Sequence, residues 1–118
     1  MYLWLMYSKE LLKGTLKTII LRLLADHGRM YGYEMTQKVK KLSDGAILLT
    51  EGALYPALHK LEAEGLVITE KENIGKRVRK YYTLTPKGKT AGQEKLLELE
   101  TFFNVLHQVL NLKPDRSI

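Results

Sequence analysis

The residues of this chain that could do chemistry are few, and their spacing points away from catalysis. The three histidines, His27, His59 and His107, lie in separate segments, and no pair has the short spacing of a zinc site. There is no cysteine, which excludes disulfides and thiolate metal ligands. No serine or cysteine nucleophile motif and no glycine-rich phosphate loop is present. The expectation is a protein that is not an enzyme and holds neither metal nor cofactor. One cluster does carry a chemistry. Lys71, Lys76, Arg77, Arg79 and Lys80 stand within ten residues, opposed there only by Glu72. Cations this dense neutralise phosphates and release their condensed counterions, which gives sequence-independent, salt-sensitive affinity for DNA. A charge run is also, commonly, a solvated face, so its place among the surrounding elements decides between the two.

Those elements follow from periodicity. Residues 8–27 read as a helix capped by Ser8, with Leu12, Leu16, Ile19, Ile20 and Leu23 at helical spacing and Gly28 at the stop. A second helix runs from about Tyr31 to Leu42, with Met35, Val39 and Leu42 on one face, and Ser43-Asp44-Gly45 breaks it. A third spans Glu51 to Glu64 behind Thr50, with Leu54, Ala57, Leu58 and Leu61 inward and Gly65 at its end. Pro56 predicts an irregular opening in this helix, because its ring crowds the carbonyl of Gly52 and it has no N–H to donate. Leu66–Thr69 and Lys80–Leu84 are β-prone runs that form a hairpin across a polar loop of several residues. Thr85-Pro86 opens a last helix that reaches about Asn111.

Three helices, a hairpin and a helix is the order of a winged helix-turn-helix. In that architecture the third helix enters the major groove and the hairpin runs along the backbone or the minor groove. The predicted fold is mainly α (α+β), with a two-stranded β wing and a long C-terminal dimerisation helix. Residues 1–84 form the winged-helix domain, and residues 85–118 the dimerisation helix and tail. Steps of 100° from Leu54 put Gly52, Tyr55, Pro56, His59 and Ala63 on the outer face of the third helix, uncharged near its start apart from Glu51, with Tyr55 and His59 the expected base or phosphate contacts. The basic cluster occupies the tip and arm of the hairpin that follows directly, which favours DNA over a merely solvated face.

The last helix supplies an association seam. Leu96, Leu99, Phe103, Leu106 and Leu110 alternate by three and four, and Leu97, Phe102, Val105 and Val109 widen the apolar surface. At 1.5 Å per residue it spans roughly 40 Å, more than so small a domain covers. Gly88 and Gly92, one turn apart, either leave room for a close approach by another helix or are simply tolerated. The apolar opening segment around Trp4, together with Leu12, is expected to join the interface, so the chain is predicted to be a homodimer. A net charge of +6 agrees with a polyanionic partner, nucleic acid or an anionic membrane surface. The opening segment is short and followed by Lys9, Glu10 and Lys13, so neither a signal peptide nor a membrane span is expected, and the cytoplasm is the default compartment.

The run from Thr50 to Leu66, TEGALYPALHKLEAEGL, resembles the signature of the PadR family of bacterial transcription regulators. Tyr31-Gly32-Tyr33-Glu34 and Arg79-Lys80-Tyr81-Tyr82-Thr83-Leu84-Thr85 are similar to its flanking motifs, in the same order. The single terminal helix resembles the smaller subfamily. The resemblance implies a dimer that binds a palindromic operator in double-stranded DNA, usually as a repressor relieved by a small molecule bound between the terminal helix of one subunit and the first helix of the other. It adds Tyr31, Thr50 and Lys60 to the expected DNA surface of Gly52, Tyr55, Pro56, His59, Lys76, Arg77, Arg79 and Lys80. Two other classes stay open. One is a winged helix used only for protein–protein assembly, and the other a small-molecule sensor that needs a partner regulator to bind DNA.

Overall fold

A computed structural model describes residues 8–112. Its elements are α1 (Lys9–His27), β1 (Met30–Tyr31), α2 (Gly32–Leu42), α3 (Glu51–Ala63), β2 (Val67–Ile74), β3 (Arg77–Leu84) and α4 (Pro86–Leu110). The helix ends follow their capping chemistry. Ser8, Thr50 and Thr85 each accept a hydrogen bond from the backbone N–H three residues on, at 3.2, 3.2 and 3.0 Å. Gly28 and Gly65, just past the ends of α1 and α3, both take positive φ.

The core lies where α1, α2 and α3 meet the base of the sheet. Ile20, Leu21, Met35, Leu54, Leu58, Leu61, Val67 and Tyr82 are closed off from solvent there. Within α2 only part of the expected face is buried. Met35 and Val39 are inside, whereas Leu42, in the last turn, is 68% exposed. Pro56 does not disturb α3, which is continuous from Glu51 to Ala63. The hydrogen bond it forgoes would go to the carbonyl of Gly52, an exposed residue of the first turn that water can reach.

The sheet departs from expectation in two ways. It has three antiparallel strands in the order β1-β3-β2, because Met30 and Tyr31 pair with Tyr82 and Tyr81. The hairpin is also longer and tighter than expected. Ile74 pairs with Arg77, so only Gly75 and Lys76 turn the chain. Gly75 has φ +62° while Lys76 does not take positive φ, the pattern of a type II′ turn, whose twist matches the flanking strands. Apart from Gly75 and Lys76, the residues expected to form a loop are therefore strand residues.

The two glycines of α4 serve contacts within the chain. A Cβ on Gly88 would run into the Leu66 carbonyl, and one on Gly92 would lie 3.3 Å from Cβ of Leu21 in α1. The close approach therefore joins the start of α4 to its own domain. Beyond it the helix leaves the core, and its second half carries exposed Phe102, Phe103, Val105, Val109 and Leu110.

Candidate nucleic-acid interface

Helix α3 is held from below by three fully buried leucines, Leu54, Leu58 and Leu61, one per turn. That spacing turns Gly52, Pro56, His59 and Lys60 to solvent. Thr50 is exposed too, with its hydroxyl occupied in capping the helix. Tyr55 also lies on the outer face, as expected. It is 37% exposed and leans onto the start of α2, where a Cβ on Gly32 would fall 2.5 Å from the Tyr55 hydroxyl. Only glycine at position 32 permits that contact. Burial pushes the Tyr55 phenol above its ordinary pKa, and the charge of Glu51 adds to the shift.

Between α3 and the hairpin lies an open cleft of about 570 Å³, lined by Tyr31, Glu51, Tyr55, Arg77, Arg79 and Lys80 among others. The opening turn of α3 and the basic strand β3 thus face one space, which the linear sequence only suggested.

The five wing cations are not equivalent. Lys80 lies 3.6 Å from the Glu62 carboxylate of α3. Glu62 also accepts a hydrogen bond from the Thr69 hydroxyl at 3.1 Å. Across the ladder Lys80 sits opposite Lys71, a like-charge pair that Glu62 helps to offset. The Arg79 guanidinium stands 4.1 Å from the centroid of the Tyr31 ring and donates to the Tyr81 hydroxyl at 3.3 Å. That hydrogen bond raises the Arg79 pKa further, so the residue stays cationic. Lys76 and Arg77 are exposed at the tip and make no ion pair among the described residues. The wing acids are Glu70 and Glu72, and both pair with Arg29, which lies just past α1.

Of the residues expected at an association surface, Leu12, Leu96, Leu99 and Leu106 are half-buried within the single chain. Phe102, Phe103 and Leu110 are exposed, and Trp4 lies outside the described residues. Two contributors to the site escape sequence reasoning: strand β1, too short to leave a pattern, and Arg29, a lone cation beside a glycine. Its pairing with Glu70 and Glu72 spans more than 40 positions, and no local signal carries it. Among the described residues no group of His, Asp or Glu is arranged to hold a metal ion, and no helix is long and apolar enough to cross a membrane.

Helices α1 to α3 with a β-hairpin wing behind α3 define a winged-helix protein. Residues 20–94 match the family model described as the transcriptional regulator PadR-like family. A transcriptional regulator of Mycobacterium tuberculosis is 35% identical over 92 residues, covering 78% of this chain and 82% of its own. A transcriptional regulator from Clostridium thermocellum superposes with TM-score 0.79 at 30% identity, covering 87% of this chain and 97% of that one. A PadR family transcriptional regulator from Eggerthella lenta superposes with TM-score 0.73 at 32% identity, covering 88% of each chain. The chain belongs to the PadR-like family of transcriptional regulators, a family of regulators and not of enzymes.

Proposed function

We propose that this regulator binds an operator of two half-sites in double-stranded DNA as a homodimer and represses transcription from it until a small molecule releases it. One observation carries the DNA-binding part. The exposed start of α3 and the basic strand β3 line the same cleft, with the exposed cations Lys76 and Arg77 at the wing tip. A helix end free of clustered acid suits base edges in the major groove, and the cations beside it suit the phosphates that flank them.

The dimer is supported by α4. It is 25 residues long, and among the described residues only Gly88 in it is fully buried. Phe102 is 54% and Val109 71% exposed, and exposed apolar side chains gathered on one helix are of the kind that marks association. A two-fold pair of winged helices would then address half-sites roughly 34–36 Å apart. Repression and release by a small molecule rest on the family resemblance. Under this reading the ligand enters between α4 of one subunit and α1 of its partner.

Two measurements test the reading. Analytical ultracentrifugation at tens of micromolar should give a dimer, and Leu99→Glu with Leu106→Glu should give a monomer or a misfolded chain. Fluorescence anisotropy should then show tighter binding to the promoter upstream of the chain's own gene than to a scrambled duplex. A wild-type monomer would require α4 to find another partner. Equal, salt-insensitive failure to bind either duplex would favour a protein–protein assembly module.

A further inference from the structure

The wing beyond the core is anchored on both faces, and only one anchor comes from the recognition helix. On the face toward α3, Glu62 holds Thr69 and Lys80. On the opposite face, Arg29 reaches in from the junction of α1 and β1. It pairs with Glu72 and lies 3.4 Å from Glu70, and its guanidinium sits 3.8 Å from the centroid of the Tyr81 ring. The Tyr81 ring meets the Tyr31 ring edge-on, with centroids 5.4 Å apart at 76°, and Tyr31 in turn carries Arg79. The result is a row of cation, ring, ring, cation across the base of the wing.

The register makes this row consequential. Glu72 and Arg79 are direct cross-strand partners, the arrangement in which opposite charges on one face of a ladder attract. Arg79 nevertheless makes no ion pair among the described residues. Glu72 is occupied by Arg29, and Arg79 lies on Tyr31, against the cleft. We propose that Arg29 is a positioning residue for DNA binding, which takes up Glu70 and Glu72 so that Arg79 is left to face phosphate. The proposal rests on the wing being a DNA surface. Without Arg29, Glu72 has Arg79 as its nearest cation across the ladder. The wing then has one cation fewer to offer phosphate and keeps one uncompensated carboxylate, Glu70.

A double-mutant cycle on duplex binding tests this. Anisotropy at several salt concentrations would compare wild type, Arg29→Gln, Glu70→Gln with Glu72→Gln, and all three substitutions together. Arg29→Gln alone should weaken binding severalfold and lower the salt slope by about 0.9, the equivalent of one neutralised phosphate. In the background lacking both carboxylates the same substitution should change affinity by less than about twofold, because the two carboxylates that Arg29 engages are already gone. This rescue by charge removal is not expected of a residue that merely supports the fold. If Arg29→Gln does not fold by itself, the triple variant against the double variant decides. An equal loss in both backgrounds would mean that Arg29 touches DNA itself or only holds the fold, and would overturn the proposal. A wild type without salt-dependent duplex binding would instead remove the DNA-surface reading beneath it, and the proposal with it.

Discussion

Helix α3 and the wing stand on two sides of one cleft and are held in place by opposite kinds of force. The helix is seated by Leu54, Leu58 and Leu61, each closed off from solvent, so its orientation is a property of the core. In the wing, the residues beyond Val67 and Tyr82 have little apolar burial to rely on, and charged or aromatic contacts from Arg29, Tyr31 and Glu62 take its place. The helix is therefore positioned rigidly and the wing conditionally. Such a division suits a surface where one element must match base edges closely while the other follows a backbone of varying shape.

The largest effect should come from breaking the rigid side. Leu58→Ala removes a fully buried side chain under the middle of α3 and should cost about 2–5 kcal/mol of stability. Urea unfolding measures this directly. Arg77→Ala, at the exposed tip, should leave the same unfolding curve nearly unchanged. A comparable loss in both variants would mean that the wing is part of the core after all.

Next in size is the outer face of α3. His59→Ala leaves the leucine seam intact, so the melting curve should hardly move. Operator affinity should fall by about 1–3 kcal/mol if the imidazole reads a base, with little change on a scrambled duplex. Equal losses on both duplexes would make His59 a phosphate contact and move base reading elsewhere on the helix.

What could be read from the sequence follows the same division. The helices, their caps and the leucine seam of α3 depend on spacing within a few residues, and they stand where periodicity put them. The wing was visible only as a β-prone, basic hairpin. Its two-residue turn is obscured because the mostly polar run Lys71 to Lys76 resembles a loop, although Lys71 to Ile74 pair continuously with β3. Strand β1 consists of Met30 and Tyr31 alone, and forms because β3 offers it an edge. Tyr55 points outward as its helical angle requires, and the contact of its hydroxyl with Gly32 at the start of α2 is the part that spacing did not show. Gly88 and Gly92 do mark close approaches, Gly92 to helix α1 at Leu21 and Gly88 to the Leu66 carbonyl. In each case the missing information was a neighbour distant in sequence.

A smaller effect would sharpen the place of Tyr55 between the two regions. Its phenol is held above the ordinary value of 10.0, chiefly by burial. A raised folded-state pKa means that stability is fully present below the unfolded value and is lost as pH rises through the folded one. Wild type should therefore lose stability above about pH 10, and Tyr55→Phe should lose less over the same interval. Urea midpoints at pH 9 and pH 11 give the comparison. Identical losses would place the Tyr55 hydroxyl in solvent instead of against α2.

The central claim, that the wing tip meets phosphate beside a helix that meets bases, has its most direct test in a salt titration. Lys76→Ala with Arg77→Ala removes the two cations at the tip that make no ion pair among the described residues, and no buried group is left without its partner. Duplex affinity measured by anisotropy should fall for operator and scrambled DNA alike. The slope of log K against log salt should drop by about 0.9 for each phosphate no longer neutralised, close to 1.8 if both cations bind. An unchanged slope with unchanged affinity would contradict the account, because the basic hairpin would then face away from DNA.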